Sequence, residues 1–160
     1  MFREDLHGDV GAPCNGRVYP TNPVRPCTLD DIPWLAELLG HTYGGYADLK
    51  RCEQYYRSTL GRKDHVYLRG DMSAAGAKYF VPYWAPLDSR PLASDVFFCA
   101  KPGKVAALVE LSLVMKEVVQ WARRAGCAEA SFAAFNGADI SGLARRAGAD
   151  DTVPMFRAVF

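Results

Sequence analysis

The chain has no apolar run approaching the roughly 20 residues that a membrane-crossing helix needs. Its first ten residues carry Arg3, Glu4, Asp5, His7 and Asp9 and no apolar core, so no secretory signal is expected and the expected setting is cytoplasmic. Histidine is scarce, at three residues. No two of the five cysteines (Cys14, Cys27, Cys52, Cys99, Cys127) are separated by two residues, so no zinc-ligand spacing is present and no metal is expected. The odd, scattered set reads best as reduced thiols, with one disulfide plus leftovers as the competing reading. Nineteen Lys and Arg against eighteen Asp and Glu leave a formal charge of +1, which denies the chain a whole-protein field for nucleic acid or anionic lipid. Internal repeats and low-complexity tracts are absent as well.

What is present is a packed domain: 160 residues, 49% hydrophobic and 23% charged. Residues 1–23 stand apart. Gly8, Gly11, Pro13, Gly16, Pro20 and Pro23 preclude a helical period, and an extended arm is expected, either loose or docked on a neighbouring subunit through Val18 and Tyr19. From Val24 to Cys27 the chain reads as a short strand. A helix then starts at Thr28, whose hydroxyl is expected to accept orphan N–H groups. Its buried stripe is Leu29, Ile32, Leu35 and Leu39, and Gly40 is its stop. His41 to Tyr46 reads as a loop, and Asp48 to Leu60 as a second helix with Leu49, Cys52, Tyr56 and Leu60 inward. Lys50, Arg51, Arg57, Arg62, Lys63 and Arg69 make its surroundings basic, either a solvated face or a landing patch for an anion or acidic partner. Strands are expected over 66–69, 77–84 and 95–100, the last a near-continuous apolar run suited to a strand covered on both faces. A long helix from Lys104 to Ala125 should bury Val105, Leu108, Leu111, Met115, Val118 and Ala122 and expose Glu110, Glu117, Gln120 and Arg124. A strand over 127–135, a short helix capped by Asp139 and ended by Gly148, and a strand over 152–160 complete a mixed α/β sheet. The segment 95–135 should be a parallel strand–helix–strand crossover.

This order, with the opening Val24-Arg25-Pro26-Cys27-Thr28-Leu29-Asp30-Asp31, the helix end Gln120-Trp121-Ala122-Arg123-Arg124-Ala125-Gly126 and the late Leu143-Ala144-Arg145-Arg146-Ala147-Gly148, resembles the GNAT family of N-acetyltransferases over residues 24–160. The resemblance implies an acyl-CoA N-acyltransferase fold. It also implies a glycine-rich loop after the fourth strand, whose N–H groups hold the CoA pyrophosphate. The matching stretch here is Lys101-Pro102-Gly103-Lys104-Val105-Ala106-Ala107, where one glycine remains and Pro102 has no N–H to give. The family's strand-borne Glu has no match among Val96, Phe97, Phe98 and Cys99, and only Asp95 stands nearby; its late Tyr matches Ala144. Tyr43, Tyr46, Tyr67, Tyr79 and His65 are the substitutes available elsewhere, while Cys99, Phe97, Phe98, Trp84 and Trp121 read first as core residues.

Two functions follow. In the first, the chain keeps the fold, binds no cofactor, has lost acetyl transfer and serves as a binding or structural component among other protein subunits; GNAT-like chains with weakened CoA motifs resemble ones encoded among the virion genes of tailed phages. In the second, it is an acetyl-CoA-dependent N-acetyltransferase for an unknown amine, with Phe97, Phe98, Cys99, Gly103 and Lys104 holding CoA.

Overall fold

The computed structural model describes residues 24–82, 89–134 and 139–149. The arm, Trp84 and the strand expected over 152–160 lie outside them. Among the described residues, strands β1 (Arg25–Pro26), β2 (His65–Arg69), β3 (Ser73–Phe80), β4 (Leu92–Ala100) and β5 (Glu129–Ser131) form one sheet in the order β1-β2-β3-β4-β5. The first four pair antiparallel; β4 and β5 pair parallel through the crossover expected from the sequence. Helices α1 (Ile32–Tyr43) and α2 (Leu49–Thr59) cover one face, and α3 (Val105–Arg124) with α4 (Ser141–Ala147) cover the other. The mixed α/β class is as expected.

Strand alternation divides the core. Tyr67, Ala74 and Phe97 face Ile32, Leu35 and Tyr56. Their neighbours Leu68, Ala75 and Phe98 face Leu111, Met115 and Val118 on the other side. β4 is therefore apolar because both of its faces are covered. Met115 has no exposed surface. Met115→Ala is expected to cost about 2–5 kcal/mol in urea denaturation, and a near-neutral result would place α3 outside the core.

Several sequence expectations change. Leu29 is 53% exposed, because residues 29–31 form a 3-10 turn that precedes the helix proper. Thr28 forms a capping box with Asp31, and its N–H and its hydroxyl both donate to Asp31 Oδ2. Asp31 is then clamped by Arg25 at 2.7 and 2.8 Å and by Arg69 at 2.7 Å, and the Arg25 guanidinium holds its carboxyl well below the usual range. Gly40 does not stop α1, which continues to Tyr43 and ends at Gly44 with φ of 55°. A Cβ at position 40 would stand 3.3 Å from Leu49 Cδ1, so the glycine serves the close approach of α2 instead. In α3, Val105 (78% exposed) and Leu108 (47%) point outward, while Glu110, expected outside, is 1% exposed. The inner stripe is shifted: Ala107, Leu111, Val114, Met115 and Val118 centre it, which leaves Val105 and Leu108 beyond its edge. The strand expected over 127–135 is three residues long.

Candidate active site

β4 places nine residues against eight of β3. Gly76 pairs with Phe97 and Ala77 with Asp95, so Val96 is an extra residue, a β-bulge in β4. Across the strand, β5 pairs only with Leu92, Ala93 and Ser94. From Asp95 onward the two parallel strands part. The carboxylate of Asp95 spans the fork, with Oδ1 accepting the N–H of Ala133 at 3.0 Å.

The fork opens into a cavity of about 580 Å³ roofed by α1 and α2. Residues at helical spacing supply the roof: Asp48, Arg51, Cys52, Tyr55 and Tyr56 from α2 and its cap, and Leu39 and Tyr43 from α1. Asp95, Val96, Phe97, Ala133 and Ala134 form the floor. Asp48 caps α2 by accepting the Arg51 N–H at 3.0 Å, which fixes that corner. Asp95 is half-buried, and the loss of water raises its pKa, opposed by the Ala133 hydrogen bond. The Tyr43 hydroxyl donates to the Phe98 carbonyl at 3.2 Å, and burial raises the phenol's pKa. Also from α2, the Tyr55 hydroxyl lies 2.8 Å from His65 Nε2, and His65 Nδ1 lies 3.1 Å from Asp64 Oδ1.

The residues proposed from sequence do not all converge. Phe97 is in the cavity floor. Phe98 sends its ring to the α3 face and offers the site only a carbonyl. Cys99 is 1% exposed in the core, and burial pushes its thiol up, as it pushes Cys27 to about 12; neither is a thiolate nucleophile. Gly103, with φ of 72°, turns the chain into α3, outside the cavity. Lys104 lines a second cleft of about 240 Å³ with Lys101, Pro102, Trp34, Leu38 and His41. Asp95 stands in the middle of β4, not at its beginning. Its signal was a lone carboxylate in an apolar run. Tyr55 and Cys52 were signalled only by their shared helix face with Asp48. Of the substitutes named from sequence, Tyr43 reaches the cavity; Tyr67 and His65 stand behind Tyr55, and Tyr79 packs on Trp121. Among the described residues, no group of His, Cys, Asp and Glu side chains is placed to hold a metal, and no helix is long and apolar enough to cross a membrane.

No protein-family model and no curated protein matches the sequence. The fold, in contrast, matches solved structures. Aminoglycoside antibiotic 6'-N-acetyltransferase AAC(6')-IG from Acinetobacter haemolyticus, in its apo form, aligns over 87% of this chain and 98% of its own at 16% identity, with a TM-score of 0.65. Aminoglycoside N-acetyltransferase AAC(6')-Iy in complex with CoA aligns over 86% and 93% at 15% identity, TM-score 0.67. A transcriptional regulator from Bacillus halodurans C-125 aligns over 86% and 99% at 11% identity, TM-score 0.67. At these identities the likeness shows the fold: a GNAT-type acyl-CoA N-acyltransferase fold, as the sequence resemblance implied. The expectation that the chain takes no cofactor is corrected here, because AAC(6')-Iy, with the same fold, is crystallised with CoA and with a CoA bisubstrate analog. The structural role in a virion receives no support from these neighbours.

Proposed function

We propose that the chain is an acyl-CoA-dependent N-acyltransferase whose amine acceptor sits in the cavity between α1, α2 and the β4–β5 fork. The fork itself carries this reading. A strand edge left without a partner strand beyond Ser94 among the described residues offers backbone groups to an extended amide-bearing ligand, and a carboxylate stands at the point of divergence.

The chain's residues fit CoA unevenly. The β4 backbone from Val96 to Cys99 would flank the pantetheine. The phosphates would meet Lys101, Gly103 and Lys104. Pro102 has no N–H, and Lys101 N already donates to Met72 O at 2.7 Å, so this loop holds an anion through lysine charge and the open N–H groups at the start of α3 more than through a backbone cradle. Bound there, acyl-CoA supplies a thioester that an amine attacks without further activation. The protein's part is alignment and proton removal. Asp95, held by Ala133 and raised by burial, is the proton acceptor at the fork. Tyr43 fixes the Phe98 carbonyl and with it the edge of the strand.

Titrating CoA into the purified chain and following thermal unfolding tests this. The midpoint should rise with ligand, by the equivalent of about 2.7 kcal/mol at a hundredfold excess over Kd, and Lys101→Glu with Lys104→Glu should abolish the rise. No rise at millimolar CoA would refute the reading.

A further inference from the structure

We propose that Tyr55 is a second proton-transfer residue of the cavity, with His65 as its proton acceptor and Asp64 as the residue that positions the imidazole. This rests on the acyltransferase reading and goes beyond Asp95.

The three side chains form a line from the cavity wall to the surface. Tyr55 lines the cavity and its hydroxyl is 2.8 Å from His65 Nε2. The His65 side chain is 7% exposed, and its Nδ1 lies 3.1 Å from Asp64 Oδ1, close but not aligned as a hydrogen bond. Asp64 is held by both nitrogens of the Arg62 fork at 2.9 Å, and that guanidinium, followed by His65, keeps its carboxyl ionised well below the usual range. A lone pair on Nδ1 would face this carboxylate at 3.1 Å and be repelled. The proton therefore belongs on Nδ1, which leaves Nε2 as an acceptor and makes the Tyr55 hydroxyl the donor to it. With its proton given to Nε2, the Tyr55 oxygen keeps its lone pairs for accepting a proton. The other groups around the imidazole are Tyr67, whose hydroxyl is 2.7 Å from Thr59 Oγ1, and Lys78, opposite His65 in the β2–β3 register.

The chemistry asks for such a path. Converting an ammonium acceptor and a thioester into an amide and a thiol takes two protons from nitrogen and gives one to sulfur. One proton must leave for bulk water. Tyr55 Oη can take it as its own proton passes to Nε2. The imidazolium then loses its Nδ1 proton to water past Asp64, whose side chain is 29% exposed, which leaves an Nε2–H ring; exchange with water, one proton gained at Nδ1 and one lost at Nε2, restores the Nδ1–H form for the next turnover.

The test has two arms. In the first, nitrogen-15 NMR of imidazole-labelled protein reads the tautomer, with His65→Gln identifying its signal among the three histidines. The Nδ1–H form is expected, with an Nε2 resonance displaced in Tyr55→Phe; an Nε2–H form overturns the proposal. In the second, thiol release from acetyl-CoA is followed with a set of simple primary amines. Tyr55→Phe is expected to lower kcat about 100-fold with KM for acetyl-CoA unchanged. His65→Gln should lower kcat to a similar extent, again with KM for acetyl-CoA unchanged, and Asp64→Asn should lower it less. Wild-type kcat in both Tyr55→Phe and His65→Gln overturns the proposal. If the wild-type chain transfers to no amine, the acyltransferase reading has failed, and the relay is then decided by the tautomer.

Discussion

Asp95→Asn is expected to lower the rate of acyl transfer by about 10²–10⁴-fold while leaving the protein at least as stable as the parent at neutral pH. The two effects share one cause. Burial raises the Asp95 pKa above its value in the unfolded chain. A carboxyl raised in this way contributes fully below its unfolded pKa. That contribution is lost as pH rises through the folded pKa, because the folded state must then hold a poorly hydrated charge. Asparagine keeps an oxygen for the Ala133 N–H and removes the charge. Turnover and a urea-denaturation midpoint, measured on the same preparation at neutral pH, decide the matter. A variant that is both active and less stable would make Asp95 a structural carboxylate. Lost activity with unchanged or improved stability is the pattern of a group kept for its chemistry at some cost to the fold.

Glu110→Ala is expected to destabilise the chain by about 2–6 kcal/mol, the range for stranding two buried donors, in urea denaturation. Glu110 Oε1 accepts from the backbone N–H of Met72 at 2.8 Å and from Ser73 Oγ at 2.7 Å, so α3 holds the β2–β3 turn through this one side chain. Gly70 belongs to the same arrangement: a Cβ there would run into the Glu110 carboxyl. Glu110→Gln preserves an oxygen for both donors and should cost far less than alanine. Equal losses in the two variants would show that charge, not hydrogen bonding, is what the turn requires.

Most of the fold was legible in the residues, and the failures have physical reasons. The period of α3 showed a long amphipathic helix. The apolar stripe alone could not show that Glu110 lies inside, since periodicity places a charge outward unless a buried donor pair is known to await it. Gly40 read as a stop because glycine is the commonest helix terminator; its actual work is to admit a neighbouring helix, a tertiary fact without a local signature. The site was less legible than the fold. Phe97 was found because it belongs to β4. In the sequence Asp95 stands at the start of the apolar run 95–100, three residues after the strand begins, so nothing local shows that it lies beside a bulge. Tyr55 and His65 are ten residues apart on a helix and a strand, and only the fold joins them.

The close approach at Gly40 sets a gauge. α1 and α2 both roof the cavity, and their spacing is fixed where Gly40 meets the tip of Leu49, a side chain on the outer surface with room to move. Added volume at this position is taken up in part by the Leu49 side chain and in part by the spacing of α1 from α2, without a change to any group that touches the fork. On the acyltransferase reading, a substitution here would alter the size of acceptor that the cavity admits while leaving the fork groups in place, so size selection and chemistry would rest on separate residues.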